Sequence, residues 1–386
     1  MSKGHIYLDH HATTPVDAAV LEEMLPYFTQ IYGNAASVDH AFGHEAKKAV
    51  DKARERIAKA INAYPDEIIF TSGATESDNI ALFGVAEKYE RKGKHIITSV
   101  TEHKAVLDVC KKLEKMGKEI TYLPVDQYGV VAIDALKKAI RPDTILISIM
   151  AANNEIGTIA PLEEIGTIAK EHDILFHTDA AQAVGHIPLD VQKMNIDLLS
   201  MSAHKVYGPK GVGALYRRRS NPRVRLAAVI YGGGHEKGLR SGTLNVAGIV
   251  GLGKAVELAL ERMEEDTQKY KEWTSYIFDE LKKNLGELHL NGSPTQRLPH
   301  NLNISIPGIE SRALIVQLEN IAISTGSACT SVVVEPSHVI MALGFGEERA
   351  HTSIRIGVGR GNDLVQINQA IRQLLNKIFI LKKIVI

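Results

Sequence analysis

From about residue 66 the chain alternates short β-rich runs with longer stretches whose apolar side chains recur every three or four positions. "EIIFTSG" gives way to "ATESDNIALFGVAEKYE", and "HIITSV" to "HKAVLDVCKKLEKMG"; "EITYLPVD", "TILISIM" with "PLEEIGTIAKEH", "ILFHTDA" and "DLLSMSA" carry the rhythm on. Such alternation predicts βαβ units, and so an α/β chain with a mainly parallel sheet flanked by helices on both faces. A helical pattern then runs from Val246 to Leu285, with Val256, Leu260, Met263, Tyr270, Trp273, Ile277 and Leu281 near one stripe. Beyond it, "HNLNISIPG" and "SIRIGVG" read as strands and "EPSHVIMALG" and "LVQINQAIRQLLNKI" as helices. The expected organisation is a large domain over residues 16–260 and a smaller α+β domain built from 1–15 and 261–386, with the long helix as connector.

Composition changes this picture little. The 386 residues are 45% hydrophobic and 23% charged, and 45 basic side chains balance 45 acidic ones, so no net field draws the chain to nucleic acid or an anionic membrane. The opening "MSKGHIYLDHHATTP" lacks the apolar run of a signal peptide, and no later run has membrane length; a cytoplasmic protein is expected. Two cysteines, Cys110 and Cys329, make no disulfide framework, which fits a reducing compartment.

In such sheets ligands bind outside the carboxyl ends of the strands, so the polar residues just after each strand are the first candidates. "TSGATES" carries Thr75 at a small-residue turn opening a helix, either an ordinary Ser/Thr N-cap or a phosphate cradle of free N–H groups. "TEH" places His103, and "AANNEIG" places Asn153 and Asn154, at equivalent positions; taken singly, each is more often structural. "DAAQ" supplies Asp179 and Gln182, and "SMSAHKVYGPKG" supplies Ser202, His204, Lys205 and Lys210. An aspartate for a pyridinium nitrogen and a lysine for a Schiff base are the two groups a pyridoxal phosphate site requires.

These motifs, with "YLDHHATTPVD", "FTSGATESDN", "TEHKAV", "NNEIGT", "HTDAAQAVGH", "RSGTLN", "STGSACTS" and "SIRIGVGR", span nearly the whole chain. Together they resemble the cysteine desulfurases of the NifS and IscS type, in the class V branch of fold-type I pyridoxal phosphate enzymes. The resemblance implies that Lys205 bonds the cofactor, Asp179 meets its ring nitrogen, Gln182 its ring hydroxyl, and His103 stacks on the ring and moves protons. It assigns Thr75, Ser202 and His204 to the phosphate, with Thr243 reaching the cofactor of a neighbouring subunit, hence a homodimer. Asn154 and Arg355 would orient the amino acid substrate, Arg355 through its carboxylate. Lys210 is implied to be structural or peripheral.

Cys110 falls on an apolar stripe with Val106, Val109 and Leu113 and reads as a small core hydrophobe. Cys329, among small and hydroxyl residues, is by its spacing as readily a merely exposed thiol as a functional one. The resemblance makes it the nucleophile that takes sulfur from L-cysteine as a persulfide, releasing L-alanine. A sulfur-acceptor protein would follow, for iron–sulfur cluster assembly or for thiolation of tRNA or DNA. Two departures stand out: Val332, Val333 and Val334 make the cysteine loop more apolar than that of IscS-like chains, and the chain stops at "LLNKIFILKKIVI", short of the segment that such chains use to dock a scaffold. The competing expectations are a selenocysteine lyase or another class V lyase or aminotransferase, and a sulfur-relay platform without turnover. No metal site is expected, because adjacent His10 and His11 in an extended segment point apart. The basic run "YRRRSNPRVR" (residues 216–225) reads as a solvated turn, and "GGG" (232–234) lacks the context of a dinucleotide fingerprint; neither direct nucleic-acid binding nor membrane binding is expected.

Overall fold

The computed structural model describes residues 4–325 and 335–384. Its central sheet has strands β1 (Ile68–Thr71), β2 (His95–Ser99), β3 (Glu119–Leu123), β4 (Thr144–Ser148), β5 (Leu175–Asp179), β6 (Leu198–Ser202) and β7 (Gly213–Arg217), in the order β1-β7-β6-β5-β4-β2-β3. Neighbours are parallel except at β7, which runs antiparallel to both β1 and β6. Strands β1, β2, β4, β5 and β6 are buried along their whole length, because layers cover both faces; edge strand β3 is half-buried at four of its five residues. Successive side chains therefore feed two different cores: Phe70, Phe176 and Leu199 pack into one, Ile69, Leu175 and Leu198 into the other.

Helices α1 (Ala74–Lys88) and α2 (Lys104–Lys115) follow β1 and β2, and α3 (Val246–Leu285) runs for 40 residues. The sequence stripe along α3 divides in the structure. Ile249, Leu252 and Val256 pack into the central core, whereas Tyr270, Trp273, Ile277 and Leu281 belong to a second core with Ile6, Leu302, Ile354 and Leu374. Between them Leu260 is 37% exposed, since a helix bridging two cores has a turn that faces neither. The second core is covered by the antiparallel strands Asn301–Ser305, Ser353–Gly357 and His289–Leu290. Ile6–Tyr7 pairs with Ile321–Ala322, which ties the N-terminal segment to this unit.

The basic run at 216–225 is only in part the solvated turn expected: residues 219–223 are exposed around a bend, but its start is not. Tyr216 and Arg217 end β7, and Arg218 is buried, its guanidinium paired with Asp197 at 3.0 Å and donating to the carbonyls of Val191 and Ile196. A buried Arg needs such partners for its donors, and the turn that leads into β6 supplies the two carbonyls. Among the described residues no helix is long and apolar enough to cross a membrane.

Candidate active site

The carboxyl ends of β1, β4, β5 and β6 open onto one cavity of about 550 Å³, and the residues singled out after those strands meet there. Thr75, His103, Asn154, Asp179, Gln182, Ser202, His204 and Lys205 all contribute to its wall. Residues from 75 to 205 converge because each βα turn in a parallel sheet ends at the same edge.

On the first wall, β1 turns into α1 through Gly73, whose φ of +155° suits glycine and which caps the helix without any side-chain hydrogen bond. A Cβ there would lie 3.7 Å from Ser202 Oγ. The first N–H groups of α1 thus face the cavity with no side-chain cap, and the helix dipole points its positive end at the same place. Ser202, His204 and Lys210 line the neighbouring surface, so this end of the cavity offers donors and a cation. His204 is held by Thr13 Oγ1 at 3.1 Å, and burial, then Lys205 and Lys210, push its pKa down to about 4, so it is neutral at physiological pH.

The floor holds the two groups of opposite sign. Asp179 ends β5, is buried, and accepts from the Ala181 N–H at 2.9 Å. Burial raises its pKa; that N–H, His103 and Lys205 oppose the rise. Lys205 follows β6 in a short 3₁₀ turn, and its Nζ donates to the carbonyls of His11 at 2.5 Å and Ala12 at 2.9 Å. Burial, with Arg355 adding to it and Asp179 and Asp9 opposing, brings the Lys205 amine down to about 8. An amine poised there loses its proton readily and becomes a nucleophile near neutral pH.

His103 is the N-cap of α2, with Nδ1 accepting from the Ala105 N–H at 3.1 Å, so a neutral ring carries its proton on Nε2. His103 is exposed at the cavity, and the partial loss of water around its ring lowers its pKa, with Asp179 opposing the effect and Lys205 adding to it. Asn153 turns out to be architectural: its side chain accepts from the N–H groups of Glu155 and Ile156 and donates to the Thr101 carbonyl, which shapes the turn presenting Asn154 to the cavity. Arg355, on Ser353–Gly357, is buried behind that turn and donates to the Asn154 carbonyl at 2.8 Å and to Asp9 at 2.7 Å. It is not part of the cavity wall. Thr243 is exposed and also outside the wall, three residues beyond Arg240, whose pairing with Glu76 at 2.8 Å holds that loop against the start of α1.

Cys329 lies outside the described residues, as do Val332, Val333 and Val334. Cys110 is fully buried, and burial, then Glu102 and Glu114, push its thiol up to about 12, which leaves it un-ionised. Thr13 and Ala12, not singled out one by one although the resemblance puts their loop near the active site, line the cavity from the N-terminal segment, and Lys210, expected to be structural or peripheral, faces the same space. The one signal for them was the "LDHHATTP" motif itself, whose partners lie some 190 positions away. His11 is buried against His300 and Gln182 and His10 against Tyr7; among the described residues no group of three or more His, Cys, Asp or Glu could hold a metal ion.

The model of the family described as aminotransferase class-V matches residues 6–369. A protein of Anaeromyxobacter dehalogenans named "Cysteine desulfurase IscS" is 54% identical over 371 residues, covering 95% of this chain and 91% of its own. A Neisseria meningitidis protein of the same name is 53% identical, covering 97% and 93%. Among solved structures, one titled "NIFS-LIKE PROTEIN" superposes with a TM-score of 0.91 at 40% identity, covering 97% of this chain and all of that one. Another, titled "SspA in complex with cysteine", gives 0.83 at 41% identity, covering 92% and 98%.

Proposed function

We propose that this chain, which belongs to the class V aminotransferase family, is a pyridoxal phosphate-dependent cysteine desulfurase that works as a cytoplasmic homodimer. The observation that carries the reading is the meeting of a half-buried amine, Lys205, and a buried carboxylate, Asp179, on one cavity at the ends of adjacent parallel strands.

The residues fit the cofactor. Asp179 is a buried carboxylate that resists ionising alone and so calls for a cationic nitrogen opposite it. The side-chain-free N-terminus of α1, with Ser202, Thr75 and neutral His204, suits a phosphate. Gln182 would meet the ring hydroxyl, His103 the ring face, and Thr243 of a second copy the phosphate. When bound, pyridoxal phosphate supplies an electron sink that makes bonds at the substrate Cα easier to break.

The chain's own groups then do the following. Lys205 Nζ, uncharged in a useful fraction near neutral pH, would hold the cofactor and is placed to carry protons to and from the substrate carbon. His103 Nε2 gives or takes a proton at the open side of the cavity. Arg355 and Asn154 orient the substrate carboxylate, Arg355 by sharing the fork it now directs at Asp9 and the Asn154 carbonyl. The Cys329 thiolate attacks the substrate sulfur; the Cβ–S bond breaks, an S–S bond forms, and alanine leaves with a proton at the former sulfur position. The atoms balance without an outside oxidant: cysteine plus one thiol gives alanine plus one persulfide. The sulfur then passes to an acceptor protein, for iron–sulfur cluster assembly or for thiolation of tRNA or DNA. Two cysteines, one of them sealed in the core, support a reducing compartment.

Mass spectrometry tests the sulfur's destination. After incubation with L-cysteine in the absence of reductant, the peptide bearing Cys329 should gain one sulfur atom, while the peptide bearing buried Cys110 stays unmodified. Sulfur on Cys110, or on neither, would refute Cys329 as the acceptor.

A further inference from the structure

Behind the candidate cofactor floor lies a column of three buried imidazoles that the reaction just described does not use. His11 stacks on His300 with ring centroids 4.3 Å apart and planes 21° from parallel; His300 stacks on His186 at 4.1 Å and 27°. One end of the column is the amide of Gln182. The other is the backbone carbonyl of Lys205, 3.0 Å from His186 Nε2.

Hydrogen bonding fixes how the column meets Gln182. Asn301 Nδ2 can only donate; it lies 3.1 Å from His11 Nε2 and also donates to the Glu155 carbonyl. Nε2 therefore accepts, the neutral ring carries its proton on Nδ1, and Nδ1–H donates to Gln182 Oε1 at 3.0 Å. At the same time Gln182 Nε2 donates to the His11 carbonyl at 3.0 Å. His11 thus grips both ends of one amide, and only one orientation satisfies both grips. One hydrogen of Gln182 Nε2 remains for the cavity, which Gln182 lines beside Asp179 and Lys205.

The column is built for its site. Gly357 of "SIRIGVGR" leaves the room, since a Cβ there would come within 2.9 Å of His11 Cδ2. Burial holds His11, His186 and His300 below the ordinary histidine pKa, so all three stack uncharged. Because the His11 carbonyl also accepts from Lys205 Nζ, the column closes a ring of contacts through both Gln182 and Lys205.

We propose that His11, braced by His300 and His186, is a positioning residue that locks the Gln182 amide with its N–H toward the cavity and so fixes the seat of the cofactor's ring oxygen. This rests on the pyridoxal phosphate reading above.

The test exploits the shapes of three substitutions. His11→Phe keeps the stack and removes both ring nitrogens; His11→Gln keeps an amide near Nε2 but not Nδ1; His11→Asn keeps a donor near Nδ1. Cofactor dissociation constants and the visible circular dichroism of the bound cofactor are measured for each, with thermal melts as the check on folding. The expected result is about tenfold weaker retention, the worth of one hydrogen bond, and an altered dichroic band for Phe and Gln, with Asn within about twofold of the unsubstituted protein. Equal retention and an unchanged band in the Phe or Gln variant, or equal impairment in all three, would overturn the proposal. If the Phe variant does not fold, the Gln and Asn pair alone decides it. An unsubstituted chain that takes up no pyridoxal phosphate would instead defeat the parent reading, whereas uptake indifferent to residue 11 defeats only this one.

Discussion

Lys205→Ala lowers the rate of alanine formation from L-cysteine by ~10²–10⁴-fold or more, the range that one general acid–base group supplies, while the protein stays folded. The loss is large because in the proposed reaction Nζ would have two jobs, bonding the cofactor and moving protons, and among the described residues no other amine takes its place at the end of β6. Lys210 shares the cavity but is exposed, whereas Lys205 is half-buried and hydrogen-bonded to the His11–Ala12 segment. Because of those two hydrogen bonds, removing Lys205 frees carbonyls that water can satisfy from the cavity. A pH dependence follows. Burial has lowered the amine to about 8, and only the uncharged form bonds an aldehyde. Uptake of pyridoxal phosphate by the apoprotein should therefore accelerate as pH rises through about 8 and level off above it, as followed by stopped-flow absorbance. A rate flat between pH 7 and 9 would show that another step or another amine governs uptake.

The second large effect is expected at Asp179. Asp179→Asn preserves shape and the bond to the Ala181 N–H but removes the charge that would hold a protonated ring nitrogen. Removing one partner of a buried ion pair costs about 3–5 kcal/mol, or roughly two to four decades of rate if the pair acts in the transition state. The variant should still bind pyridoxal phosphate through the phosphate contacts of α1, Ser202 and His204, so kcat falls far more than cofactor affinity. Equal losses in both would mean that Asp179 serves binding alone.

The strands and their trailing polar residues were legible because burial on both faces forces uninterrupted apolar runs, and because every βα turn opens at one edge of a parallel sheet. That rule singled out Thr75, His103, Asp179 and Lys205 as candidates, and the resemblance carried by the ordered motifs gave them their expected roles. What could not be read was pairing across long separations. Asp9 meets Arg355 across 346 positions, and His11 meets Asn301 across 290, with no local pattern to announce either. Reversed β7 was equally silent, since an antiparallel strand buried between β1 and β6 carries the same apolar run as its parallel neighbours. In α3 the periodicity gave the helix, but not the handover between two cores, because a stripe of constant spacing does not record which core each turn faces. Arg218 looked like part of a basic surface run, and only its burial against Asp197 shows otherwise.

The central claim is that the site on β1, β4, β5 and β6 serves desulfuration through Cys329. The most direct measurement is alanine released from L-cysteine, with a thiol reductant present, by the unsubstituted protein and by Cys329→Ala. The account predicts steady alanine formation by the first and its loss in the second, with the visible absorption of the bound cofactor unchanged between them. Alanine formed equally by both proteins, or by neither while the cofactor is bound, would contradict it.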